Sequence, residues 1–313
     1  MTRTLGKHAW VLGLAVLLAA LLALAKVIQP SFGAAGIESI ARAALPFAFA
    51  TAGMAVVVIV GGIDLSVASM MAVAAVTAAV LMERMAGLPA IFIVLLVGLA
   101  MGLVNGALIV LTRVPDIVVT LAMLFVLEGT ALLILETPGG RTTSWVQGAI
   151  RGPFFLNWLP QALILMAVAI ALVWWPIRRS RLGLAIYATG SDETAAFRSG
   201  VAVDRTKIIA YGICGIFCAM GGLSLAGLTG IGEPVPGPYL LASVSAVVLG
   251  GVVLGGGTGG LLGPLIAVFI LRTIRTILTL LAVDPNVTTI IEGMIMVGVV
   301  MLGTWATARS ISK

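Results

Sequence analysis

Long apolar runs, broken by glycine, proline or charge, dominate the chain from end to end. Read in order they fall at 10–29, 38–60, 66–83, 89–111, 117–135, 159–177, 207–228, 240–255, 261–281 and 286–305, about ten runs. Most are near the ~20 residues that an α-helix needs to cross a ~30 Å hydrocarbon layer. The pattern predicts an all-α, polytopic transmembrane bundle in one domain, 1–313. The first run follows Arg3 and Lys7 and is long enough to be a retained helix. The gap at Gly61–Leu65 predicts a tight hairpin between spans two and three. The glycine-rich stretch Gly255 to Gly260 divides spans eight and nine as tightly. One of those two spans could instead be re-entrant.

Composition agrees with the pattern. Hydrophobic residues make up 61% of the chain, charged residues 10%, and the mean hydropathy is +1.20. A soluble domain carries about 25% charge, so lipid, rather than water, must solvate the exterior. The net charge of +6 could suggest nucleic acid, but the basic residues cluster in particular loops. Arg178, Arg179, Arg181, Arg198, Arg205 and Lys207 share one loop; Arg3, Lys7, Arg113, Arg309 and Lys313 fall on the same side of a ten-span chain. Eleven of the 18 Lys and Arg residues thus lie on one side, which places both termini and the 178–206 loop in the cytoplasm. The 136–159 loop is then external. Its Trp145, Phe154, Phe155 and Trp158 suit an interfacial belt.

Several chemistries lack their residues. There is no phosphate-binding G-x-x-x-x-G-K-[ST] loop, no H-E-x-x-H, and the single histidine is His8. Neither a metal site nor a catalytic residue is expected. Cys214 and Cys218, four apart in an apolar run, suit one helix face as small hydrophobes.

The sharpest local motif is Gly61-Gly62-Ile63-Asp64-Leu65-Ser66. Asp64 and Ser66 can cap span three by accepting backbone N–H bonds, or they can meet a solute. Gly98, Gly102 and Gly106 put a small-xxx-small face on span four. Asn105 beside it can hydrogen-bond across a helix contact or touch solute. Charges at membrane depth mark pairs or pathways. Arg272, Arg275 and Thr279 share a face of span nine. Arg275 and Glu292 sit at matching depth around the turn at Val283-Asp284, so they can pair; alternatively Arg272 or Arg275 faces the solute path. Glu128, in span five, can pair with Arg272 or line a cavity.

The string GGIDLSVAS resembles the signature of membrane permeases of bacterial ATP-binding-cassette importers for ribose and related monosaccharides. Gly102-Leu103-Val104-Asn105-Gly106, Val114-Pro115 with Ile117 to Leu121, Gly183 to Val203, Tyr239 with Val247 to Gly251, and Gly256, Gly257 and Gly259 extend the resemblance in order along the chain. The resemblance implies an inverted-repeat-like permease that transports by alternating access and is not itself an enzyme. It also implies two cytoplasmic ATPase subunits that hold the ATP and magnesium, a second permease copy (homodimer or paralogous heterodimer), and a periplasmic or lipid-anchored solute-binding protein. The location implied is a multi-pass place in the bacterial cytoplasmic membrane. It maps ATPase coupling onto Gly183 to Val201, with a short helix around Glu193 to Ser199; the residues implied are Gly183, Gly190, Glu193, Ala195, Ala196, Arg198 and Gly200. Glu128, Leu241-Ala242-Ser243, Arg272 and Arg275 depart from the family's pattern. They leave the solute open and favour a heterodimer. An ion-coupled secondary transporter, using Glu128 and the arginines as coupling groups, is the alternative.

Overall fold

The computed structural model describes residues 2–152, 160–235 and 237–311. Among them lie thirteen helices: α1 (Thr2–Ile28), α2 (Ala34–Ile59), α3 (Val67–Arg84), α4 (Gly87–Thr112), α5 (Asp116–Ile134), α6 (Ser144–Arg151), α7 (Gln161–Arg179), α8 (Arg181–Ser191), α9 (Glu193–Arg198), α10 (Val203–Thr229), α11 (Tyr239–Leu249), α12 (Leu262–Leu280) and α13 (Pro285–Ile311). The described β pairing is one isolated bridge, Gly139 to Gly232. Eight helices are long and apolar enough to cross a membrane: α1, α2, α3, α4, α5, α7, α10 and α12. This is a multi-pass membrane protein.

The expected span eight differs most. Its helix, α11, covers only 11 residues, about 16 Å at 1.5 Å per residue, half of a bilayer core. The chain reaches Tyr239 through non-helical backbone and leaves Leu249 through the glycine-rich turns before α12. Irregular backbone is tolerated at membrane depth only where protein buries it. The C-terminal segment meets that condition. Gly250 lies against Pro264, and the Gly257 N–H donates to the Ile59 carbonyl at 2.9 Å. In α13 the described apolar stretch is Pro285–Val299.

The core forms around α2, which is buried on every face from Ala44 to Val60. A helix apolar all round belongs inside a bundle. Helix α10 packs beside it, α11 and α12 cover another side, and α7 a third. The expected hairpin of spans two and three is not a packed pair. Both helices lie along α10 instead and touch each other only slightly. A seven-residue connection, Val60 to Ser66, leaves room for this. It opens with a Schellman turn in which Gly61 takes φ +96° and the Gly62 N–H reaches the Val57 carbonyl at 2.9 Å.

Helices α4 and α10 make the most intimate contact. A Cβ on Gly98 would meet Gly215 and Ala219; one on Gly102 would overlap the Tyr211 carbonyl; one on Gly106 would lie 2.7 Å from the Ile208 Cα. Backbones touch here because hydrogen is the only side chain that fits. In lipid, where no hydrophobic drive joins helices, such contact supplies the association energy. Cys214 and Cys218 lie on α10 as free, buried thiols with sulfurs 3.9 Å apart.

The segment expected to be external holds α6, whose Val146 and Ile150 are buried while Trp145 is half exposed. Phe154, Phe155 and Trp158 lie outside the described residues.

Gly102→Val should lower the thermal midpoint of the detergent-purified protein, at a cost of about 1–3 kcal/mol. Gly129→Val on α5, where a Cβ would meet nothing within 4 Å, should leave the midpoint unchanged or slightly higher, since valine is the better helix former. Equal losses would show that the α4–α10 contact is not the sensitive one.

Candidate translocation and coupling sites

Three groupings of the sequence-predicted residues emerge. The first is a buried knot behind the Gly61–Ser66 turn. The Asp64 Oδ1 accepts from the Ser66 N–H at 2.9 Å and from the Ser66 hydroxyl at 2.6 Å. The Asn105 amide donates to Ser66 Oγ at 2.7 Å and reaches Asp64 Oδ2 at 3.4 Å. All three residues are 0% exposed. Ser66 occupies the N-cap position of α3 but makes no side-chain cap bond. The expected Ser66 cap is therefore absent, because its hydroxyl is turned to Asp64 and Asn105. The knot pins the α2–α3 connection onto α4.

A neighbouring set escaped the sequence reading. Tyr211 of α10 donates to Asp116 Oδ2 at 2.8 Å, and Thr120 lies 3.2 Å from the Ile63 carbonyl. These contacts tie α5 and α10 to the same turn. A tyrosine in an apolar span was the available signal, since a buried phenol seeks a hydrogen-bond partner.

The second grouping is at α11, α12 and α13. Arg275 Nη1 lies 3.3 Å from Glu292 Oε2. Arg272 does not meet Glu128. It spreads over the rings of Phe47 and Tyr239, 5.1 and 5.9 Å from their centroids. Helix α5 packs on α3 and α4, whereas α12 packs on α1, α2, α11 and α13. Glu128 makes no ion pair among the described residues, so the pairing of Glu128 with Arg272 is corrected. Phe47, Tyr239, Arg272, Arg275 and Glu292, but not Glu128, line a cavity of about 120 Å³. Phe47 and Tyr239 were not read from sequence as part of it, because they come from different helices.

The third grouping is the α8–α9 segment. Ser180 caps α8 through the Leu182 and Gly183 N–H groups, and Asp192 caps α9 through Ala195 N–H at 2.9 Å. Helix α9 coincides with the expected short helix. It ends in a Schellman turn with Gly200 at φ +83°. Glu193 pairs with Lys207 at 2.7 Å. Ala195 and Arg198 are exposed, as are Phe197 and Leu184, while Ala196 is buried. A bulky residue at Ala196 would therefore strike the protein's own interior before any partner.

What holds this segment is a three-way glycine junction. Gly190, in the last turn of α8, is so close that a Cβ there would overlap the Ile59 carbonyl and lie 2.6 Å from Gly257 N; a Cβ on Gly256 would lie 2.9 Å from the Gly61 Cα. Nearby, Tyr187 accepts from Arg178 Nη1 at 2.6 Å and donates to the Gly259 carbonyl at 2.9 Å. Burial raises the Tyr187 phenol above its ordinary value, with Arg178 pulling the other way. The hydroxyl proton therefore stays in place to make that second bond. The ends of α2, α8 and the α11–α12 connection meet at one point.

Among the described residues no cluster of His, Cys, Asp or Glu could hold a metal.

Comparison with known proteins adds the following. Residues 36–300 match the family described as "Branched-chain amino acid transport system / permease component". The ribose import permease protein RbsC of Escherichia coli (strain K12) is 31% identical over 255 residues, covering 80% of this chain and 79% of that protein. The fructose import permease protein FrcC of Rhizobium meliloti is 30% identical, with 81% and 73% covered. The autoinducer 2 import system permease protein LsrC of Yersinia pestis (strain Pestoides F) is 31% identical, with 80% and 71% covered. No solved structure matches.

Reversing either charge alone, Arg275→Glu or Glu292→Arg, should lower stability, and combining both should restore it if the pair is structural. Thermal midpoints of the four proteins check this; a double variant as unstable as the worse single one would assign the two groups to the solute path.

Proposed function

The chain belongs to the branched-chain amino acid transport system / permease component family, and from that premise we propose that it is the permease subunit of an ATP-driven importer. It carries a monosaccharide or related hydroxylated solute into the cytoplasm by alternating access. The relatives that import ribose, fructose and autoinducer 2 support that solute class. Two cytoplasmic ATPase subunits hold the ATP and magnesium, a second permease copy (identical or paralogous) completes the pathway, and an external binding protein delivers the solute. The site of action is the bacterial cytoplasmic membrane, with the basic 178–206 loop inside.

One observation carries the mechanism. The α8–α9 segment exposes Leu184 and Phe197 outward and is joined inward, through Gly190, to the ends of α2 and of the α11–α12 connection. An ATPase that seats on the exposed side chains can push on α8. Gly190 leaves no slack, so displacement passes to the buried central helix α2 and to the half-helix α11. Interfaces packed this closely switch between discrete arrangements instead of deforming gradually. Coupling thus needs no charge to move, and it needs no nucleotide site in this chain. The ion-coupled reading drew on Glu128 and the arginines as coupling groups. Arg275 is engaged by Glu292, and Glu128 stands on helices apart from both arginines.

The complete assembly, reconstituted with its ATPase and binding protein, should accumulate solute only with ATP. Gly190→Leu should reduce uptake about tenfold or more, ~1.4 kcal/mol, while the ATPase still co-purifies in mild detergent. Phe197→Asp should release the ATPase. Uptake that ignores ATP and collapses with an ionophore would overturn the reading.

A further inference from the structure

The cavity between α2, α11, α12 and α13 carries more positive charge than its own acids neutralise. Arg272 stands ten residues from the start of α12 and eight from its end, so at 1.5 Å per residue it is about 12–15 Å from each, near mid-depth. Arg272 and Arg275 contribute two guanidinium groups, and Glu292 one carboxylate already engaged by Arg275 at 3.3 Å. Glu233, the nearby acid of the preceding segment, makes no ion pair among the described residues. Arg272 Nε is buried and without a hydrogen-bond partner among those residues.

A guanidinium stays charged in proteins. Buried at membrane depth, it is retained at a cost that a facing anion offsets. Here Phe47 and Tyr239 lie against the guanidinium and hold the group in place, while its Nε–H finds no acceptor among the described residues. The first turn of α11 adds to the same field. Gly237, Pro238 and Tyr239 line the cavity, and the Pro238 N-cap provides no side-chain acceptor. The positive end of this half-helix therefore opens toward the cavity.

We propose that this cavity binds the carboxylate of a polyhydroxylated solute, with Arg272 as its principal ligand. This deepens the importer reading and rests on it: the transported molecule is a sugar acid instead of a neutral sugar. The planar fork of Arg272 suits two parallel N–H···O bonds to a carboxylate. The aromatic rings beside it suit the C–H face of a carbon chain, and the remaining hydroxyl groups face the α11 turn. A neutral sugar can accept from Arg272 through its hydroxyl oxygens but offers no compensating charge, so its bonds there are the weaker kind.

The test measures thermal stabilisation of the purified permease–ATPase complex by D-gluconate, D-galacturonate, D-galactose and inorganic phosphate, each titrated through the millimolar range. The two sugar acids should raise the midpoint, and galactose should not. Arg272→Gln should raise the half-saturating concentration of the acids about tenfold or more, and Arg272→Lys should restore part of it. The selectivity of the unaltered protein decides the matter even if a variant fails to fold. Stabilisation by galactose equal to that by the acids, by phosphate alone, or by none of the four would overturn the proposal. So would native mass spectrometry showing a phospholipid retained by the unaltered protein and lost on Arg272→Gln, which would make the anion a lipid headgroup. Failure of the importer reading shows separately, as absence of ATP-dependent uptake of any solute in the reconstituted assembly. Neutral-sugar uptake that is ATP-dependent and indifferent to Arg272→Gln would leave that reading standing and remove this one.

Discussion

Backbone meets backbone where α10 crosses α4, and the rest of the bundle is arranged around that contact. Gly98, Gly102 and Gly106 face the backbone of Ile208, Tyr211, Gly212 and Gly215 and the methyl group of Ala219. In lipid, contact of this kind holds helices together because apolar burial does not. With α10 seated on α4, its other faces meet α2 and α3. Those two helices therefore cannot close on each other as the short Gly61–Leu65 gap suggests, and the turn between them is left to be fastened in another way.

The fastening is polar. Asp64, Ser66 and Asn105 hydrogen-bond one another in a fully buried pocket, and Tyr211, Asp116 and Thr120 add bonds from α10 and α5. Burying a carboxylate is tolerable only when its oxygens are hydrogen-bonded. Here two donors come from Ser66 two residues on, and the third from a different helix. The turn is thus rigid while its glycines keep its outer surface smooth. That smooth surface is where Gly190 of α8 and the glycines before α12 come to rest. A rigid turn backed by the polar knot gives a moving α8 something firm to act on.

Half-helix α11 follows from the same economy of space. Its chain enters and leaves through irregular backbone, which lipid would not tolerate and which the bundle accommodates through glycine. Starting a helix at mid-depth leaves its positive N-terminal end inside the protein. The arginines of α12 are gathered at that end, and one of them is matched by Glu292. The charge of the cavity thus combines the side chains of α12 and α13 with the point at which α11 starts.

Much of this architecture is legible from the amino-acid order. Apolar run length marks the crossing helices and the glycine spacing of α4 marks a contact face, whereas the short helix around 193–199 is reached through the family resemblance. The first two are local properties, set within a few turns by periodicity or backbone freedom. The pairing of Arg275 with Glu292 is legible too, since a short turn sets the depths of both. What tertiary structure alone decided involves partners distant in sequence. It seated α10 between α2 and α3, gave Ser66 to Asp64 and Asn105 instead of to its own helix, and set Arg272 against Phe47 and Tyr239 instead of Glu128. The reason is common to all three: in a bundle whose surface is uniformly apolar, hydropathy marks which segments are helices, but it carries no information on which helix lies beside which. That choice is made by the fit of small residues and by the few buried polar groups that must find one another.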